Sequence, residues 1–293
     1  MITIGAGSTT VTTEDSISME IISINIRNSG MNRIRLNVLN NHKEREETMV
    51  RPENYTVIDL EMTGLSAKTD KVLEIGAVRV RNRNIADTYG MLVNPHVTVD
   101  ARITELTGIT NEMALSGMEP DEAIQKLLDF IGDDVIVGQN VTFDYSFLKQ
   151  WAVNHKIKLE MQAFDTLKIA RKILPPEQPK NLEALCCYYK IQRQNAHRAL
   201  DDALETKELF ECLLEQVIAM GIEQLGQAQY ESIFTPKLLQ YKAKRQTPAT
   251  KHQIERLQEY RKLHGITEEI NWETLTRSEA SRLQDQYYAK YGK

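Results

Sequence analysis

Cysteine is scarce. The 293 residues hold three, Cys186, Cys187 and Cys212, and this set provides neither a disulfide framework nor zinc-ligand spacing. Long apolar runs are also missing, since none approaches the roughly 18 residues of a membrane-spanning helix. The first residues lack the basic, apolar, then small-residue order of a secretory leader. A cytoplasmic protein in a reducing setting, with no membrane partner, is expected. Nor is there a surplus of positive charge. Lys plus Arg number 36 against 41 Asp plus Glu, a net charge of −5, which argues against a broad surface gripping a phosphate backbone unaided. With 41% hydrophobic and 26% charged residues, the chain has the composition of a globular protein with a sizeable core.

The charge is unevenly distributed. Residues 51–220 carry 19 basic and 26 acidic side chains, net −7, whereas residues 221–293 carry 12 and 9, net +3. A net-acidic middle suits a site where clustered carboxylates hold cations. The eight Lys and Arg between Lys237 and Lys262 read equally as a nucleic-acid steering patch or as solvated helix faces. Arg79, Arg81 and Arg83 alternate near a strand end, where a solvated hairpin is favoured over phosphate contact.

Residues 1–50 form an N-terminal extension in which nothing forces a packed unit. A second reading takes Met49, just ahead of the informative motifs, as the physiological start, which would place the preceding segment outside the native product. From Tyr55 the pattern sharpens. Tyr55–Leu60 and Val72–Val80 read as strands, Asn82–Asn84 as a turn and Ile85–Val93 as a third strand. Pro120 suits the first turn of a helix whose apolar face is Ala123, Ile124, Leu127, Leu128 and Ile131. Val135–Gly138 reads as a buried strand. Helices are expected at Phe143–Trp151, Thr166–Leu174, Asn181–Tyr189 and about Arg198–Met220. Residues 221–249 read as a linker with a helix. Residues 250–293 read as a small helical module, with capping boxes at Thr250/Gln253 and Thr276/Glu279 and a stop at Gly265. Strands and helices interleaved in this way predict an α/β class.

The chemistry-bearing residues are acidic and far apart. Asp59 and Glu61 lie two apart on a strand and share a face. Such a pair is costly without a cation between its members. Asp144 opens a helix behind Gly138-Gln139-Asn140. Asp202 lies in the first turn of the long helix, five residues after His197. Any one of these alone would more often be a surface residue or a helix cap.

Three strings combine them in order: DLEMTG (Asp59–Gly64), GQNVTFDYSFL (Gly138–Leu148) and HRALDD (His197–Asp202). Together they resemble the exonuclease motifs of the DEDDh 3′–5′ exonucleases. ITELTGIT (Ile103–Thr110) and FDTLKIARKILP (Phe164–Pro175) resemble the DNA polymerase III proofreading branch, epsilon-like or PolC-like. The resemblance runs from about residue 53 to 217 and makes residues 51–220 the exonuclease domain. It implies a ribonuclease H-like mixed five-stranded sheet flanked by helices, with the helical module appended at the C-terminus.

The resemblance also implies two divalent cations, Mg²⁺ or Mn²⁺. Asp59 would contact both, Glu61 and Asp202 one, and Asp144 the other, with His197 as general base. Met62, Thr63, Gly64 and Leu65 would meet the terminal nucleotide, Met62 wedging beneath its base. Leu106, Asn140 and Phe143 are weaker candidates for lining that pocket. The implied substrate is a single-stranded or frayed DNA 3′ end, with a DNA polymerase in trans as a partner. Met62 stands where the proofreading branch commonly has Thr, and DLEMTGL with HRALDD is also similar to oligoribonucleases, so RNA is the alternative substrate. A catalytically silent nucleic-acid-binding or polymerase-tethering module is the alternative of another class.

Overall fold

The computed structural model describes residues 10–12, 18–20, 51–193, 196–268, 270–273 and 275–292. The unit Met1–Arg51 contributes an antiparallel pair, β1 (Thr10–Thr12) and β2 (Ser18–Glu20). The start expected at Met49 lies outside the described residues.

The second unit, Pro52–Lys293, is built on a mixed sheet. Its strands are β3 (Tyr55–Met62), β4 (Val72–Arg81), β5 (Asn84–Leu92), β6 (Ile136–Gly138), β7 (Gln162–Asp165) and β8 (Lys237–Leu238), in the order β5-β4-β3-β6-β7-β8. β3 pairs antiparallel with β4 and parallel with β6. Six strands replace the five expected. The extra one, β8, is a two-residue strand on the outer edge of β7, too short to leave a periodic signal. It arises in the stretch read as a linker. β3 lies inside the sheet, which explains its run of buried residues facing both ways. β5, on the other edge, is mostly exposed.

Helices follow as α1 (Ala101–Thr107), α2 (Asn111–Leu115), α3 (Pro120–Ile131), α4 (Thr142–Asn154), α5 (Thr166–Ile173), α6 (Leu182–Tyr189), α7 (Ala199–Leu225), α8 (Gln227–Phe234), α9 (Lys251–His264) and α10 (Arg277–Tyr291). One core cluster joins Ile58, Leu60 and Ile75 of the sheet to Ile124 and Leu127 of α3 and Tyr145 and Leu148 of α4. Elsewhere α7 buries Leu209, Phe210, Leu213 and Leu214, and Phe210 meets the Tyr55 ring edge-on at 5.2 Å. The helix expected to end at Met220 breaks there, at Gly221 (φ 62°), and a second helical stretch continues α7 to Leu225; glycine adopts that backbone at little cost.

Both capping boxes form, Thr250 with Gln253 and Thr276 with Glu279. Gly265 (φ 63°) closes α9 in the left-handed conformation. The helix pair has its own core of Leu257, Leu275, Ala280 and Tyr287. Glu279 also pairs with Lys71 at 3.2 Å, which ties α10 to the loop after β3. Among the described residues no helix is long and apolar enough to cross a membrane.

Candidate active site

β3 alternates. Leu60 and Met62 are buried while Asp59 and Glu61 are partly open, so the two acids share a face, as period-2 geometry requires. Asp144, in the first turn of α4, accepts a hydrogen bond from Leu60 N at 3.0 Å, and this pins the helix start to β3. Asp202 lies in the first turn of α7. Its Oδ2 accepts from the backbone N–H of His197 at 3.2 Å, which closes a loop in which His197 has φ 63°. Asn140 also has positive φ, 59°. Left-handed backbone at two motif residues marks turns held against local preference.

Asp59, Glu61, Asp144, His197 and Asp202 line one cleft of about 260 Å³, together with Phe143, Gln139, Asn181 and Arg193. Within it Glu61, His197 and Asp202 place ligand atoms within 4.8 Å of one another. Asp59 and Asp144 line the same cleft without joining that tighter group. A larger hollow of about 400 Å³ lies along α4 toward Gln246 and Thr276. It contains none of the four acids.

The remaining expected residues are dispersed. Met62 is 6% exposed and belongs to the main core cluster, so its side chain faces away from Asp59 and Glu61 rather than outward beneath a base. Thr63 pairs with Lys71: its N–H donates to the Lys71 carbonyl, and its Oγ1 accepts from Lys71 N, both at 2.9 Å. Gly64 leaves room for the Asp70 carboxylate, 2.6 Å from where a Cβ would stand. Leu65 and Leu106 are exposed at 85% and 52%. Asn140 donates its N–H to Asp165 Oδ1 at 3.2 Å, and its neighbour Gln139 lines the cleft. The three hairpin arginines face carboxylates: Arg79 Asp87 at 3.6 Å, Arg81 Asp134 at 2.9 Å and Arg83 Glu211 at 3.1 Å.

Electrostatically the cleft is loaded with suppressed negative charge. Burial, then Asp144, Glu61, Asp202 and Glu74, hold the Asp59 carboxyl well above the usual carboxylate range. Burial, then Asp202 and Glu74, push Glu61 up to about 8. Burial pushes Asp144 to about 7, against the pull of its hydrogen bond from Leu60. These groups resist ionising unless cations enter. An all-oxygen carboxylate set with one imidazole suits hard divalent ions.

Three contributors were not apparent in the sequence. Glu74, buried and opposite Glu61 in the β3–β4 ladder, takes a fork from Arg198 (2.6 and 3.1 Å) and the N–H of Ala199 at 2.9 Å. It thereby anchors the start of α7. Gly76, opposite Asp59, lets that helix start approach the sheet. Arg193 binds Asp202 and Glu205. In the sequence each looks like an ordinary strand or loop residue.

The family model described as Exonuclease (RNase_T) matches residues 56–210, more than half of the chain. The chain belongs to the exonuclease family. Among similar proteins, the DNA polymerase III PolC-type of Clostridium perfringens is 33% identical over 205 residues, covering 69% of this chain and 14% of the relative. The DNA polymerase III subunit epsilon of Aquifex aeolicus is 34% identical over 164 residues, covering 56% of this chain and 81% of the relative. The chain therefore spans about one-seventh of the C. perfringens PolC-type relative. A solved nuclease domain of 3′hExo, a DEDDh family member bound to rAMP, superposes with a TM-score of 0.49 at 17% identity, covering 56% of this chain and 92% of that one. Within this family the cleft of Asp59, Glu61, Asp144, His197 and Asp202 is the exonuclease's candidate active site.

Proposed function

We propose that this exonuclease hydrolyses phosphodiester bonds from the 3′ end of single-stranded or frayed DNA and releases nucleoside monophosphates. The observation that carries the reading is the meeting of four acids and a histidine, from three motifs far apart in the chain, in one cleft. Asp59, Glu61, Asp144 and Asp202 would hold two divalent cations, Mg²⁺ or Mn²⁺. When bound, these supply charge neutralisation for the attacking and leaving oxygens.

The chain's own residues do the rest. His197 accepts the proton of the attacking water, a task an imidazole nitrogen can perform. Its positive-φ loop and its N–H bond to Asp202 orient it. Phe143, at the cleft wall and edge-on to Phe147 at 5.6 Å, offers an aromatic edge to the terminal base. The Thr63–Leu65 turn, directly after Glu61 and Met62 of β3, would meet the terminal nucleotide, and exposed Leu106 would line its pocket. Such a site accepts an unpaired end more readily than an intact duplex terminus. Similarity to polymerase III components supports a DNA polymerase as the partner in trans.

The test uses end-labelled single-stranded DNA and RNA of matched sequence, with Mg²⁺ or Mn²⁺, on the native protein and Asp59→Ala. Metal-dependent shortening from the 3′ end, faster on DNA and lost in Asp59→Ala, is expected. Faster RNA cleavage would transfer the substrate assignment to short RNAs. No cleavage of either strand would leave a binding module.

A further inference from the structure

Arg193 stands at an unusual point. Its Nη2 donates to Asp202 Oδ1 at 2.9 Å and its Nε to Glu205 Oε2 at 2.6 Å, while the side chain is only 18% exposed and lines the acidic cleft. Asp202 and Glu205 are themselves buried, at 6% and 4%. They lie one turn apart on α7, so their charges repel across a short gap. Among the described residues no N–H or O–H donor reaches the buried Glu205 Oε1. One guanidinium is therefore shared between a proposed metal ligand and a second acid that still has a vacant oxygen.

We propose that Arg193 is the internal counter-cation of Asp202, holding that carboxylate when no divalent ion does and moving onto Glu205 when one arrives. The inference rests on the metal-holding role proposed above. A divalent ion on Asp202 and a guanidinium 2.9 Å from Oδ1 of that carboxylate repel each other, so the two compete. Glu205 makes the exchange cheap. Its unpartnered Oε1 and its bonded Oε2 together form a carboxylate fork that the planar guanidinium can grip with two parallel bonds. Arg193 thus offsets part of the repulsion among the cleft carboxylates and sets how much cation is needed to displace it. Arg198 does not play this part, because Glu74 already holds it in a fork of its own.

The experiment is a calorimetric Mn²⁺ titration of the full chain stripped with chelator, with thermal melts alongside. Arg193→Gln is expected to bind Mn²⁺ roughly tenfold tighter, since a neighbouring positive charge is gone, and to melt lower without metal. Glu205→Gln is expected to bind several-fold more weakly, because Arg193 then has only Asp202. Arg193→Lys keeps the charge but cannot make the two-bond fork on Glu205, so it should bind Mn²⁺ more weakly than the native protein. Guanidinium at low, non-denaturing concentration should compete with Mn²⁺ in Arg193→Ala, whereas tetramethylammonium at equal ionic strength should not. That last contrast separates occupancy of Asp202 from a general field effect.

Weaker binding in both Arg193→Gln and Glu205→Gln would overturn the inference, since the pair would then merely orient Asp202. Equal effects of guanidinium and tetramethylammonium would overturn it too. If Arg193→Gln does not fold, Glu205→Gln and Arg193→Lys still decide. Absence of Mn²⁺ binding by the native protein would instead sink the metal reading itself, and this inference with it.

Discussion

A side chain on Gly76 would put its Cβ 2.1 Å from the carbonyl carbon and oxygen of Ala199. The first residue of α7 therefore packs directly onto the backbone of β4, at the position opposite Asp59. The approach fixes how far Asp202 and His197 stand from the strand acids. Gly76→Ala forces this helix start outward. It is expected to cost about 2 kcal/mol or more by overpacking and to remove most nuclease activity. Chemical denaturation with a turnover assay checks both. Native activity in a fully folded variant would show that the spacing is not critical.

Glu74→Gln loosens the same helix start electrostatically. The variant loses the charged fork with Arg198, although water recovers part of that interaction because the Arg198 side chain is 38% exposed. About 2 kcal/mol of stability should go. Because Glu74 is not among the residues lining the cleft, the variant should lose turnover number more than affinity for the DNA end. A KM rise with unchanged kcat would place Glu74 on the substrate path instead.

Stability without metal should fall as pH rises. Asp59, Glu61 and Asp144 all have folded-state values above their ordinary ones, with Glu61 at about 8 and Asp144 at about 7. The folded protein thus holds protons that the unfolded chain releases near pH 4. The resulting stability is complete below about pH 4 and is lost progressively until about pH 8. Thermal melts in chelator across this range should show the decline, and Mn²⁺ should flatten it. Asp144→Asn should flatten it in part without metal. A metal-free melting point independent of pH between 5 and 8 would contradict the electrostatics.

A ring nitrogen of His197 lies within 4.8 Å of carboxylate oxygens of Glu61 and Asp202, so the roles of base and of metal ligand are both geometrically open to it. As the base, His197→Ala should lose roughly a hundredfold to ten-thousandfold in turnover while Mn²⁺ affinity stays close to native. Parallel loss of affinity and turnover would make the imidazole a ligand.

Much of the site was readable in the linear chain because the information is local. The β3 acids share a face by strand periodicity. Asp144 and Asp202 occupy first helical turns, and the capping boxes at Thr250 and Thr276 announce α9 and α10. Each depends on residues within a few positions of one another, where spacing and residue type are enough. The order of the three motifs along the chain is itself enough to point to the exonuclease family.

What the chain's order could not disclose depends on pairs far apart. β8 exists only because residues 237–238 reach the edge of β7, and two residues hold no periodicity. Met62 follows Glu61 in sequence, yet strand alternation and the α3–α4 core draw its side chain inward. Glu74 meets Arg198 across 124 positions. Residue types alone determined which chemistry was available and on which local faces. Tertiary packing decided which charges meet, which are masked and which one guanidinium must answer, because burial and Coulomb energy depend on distances that only the folded chain defines.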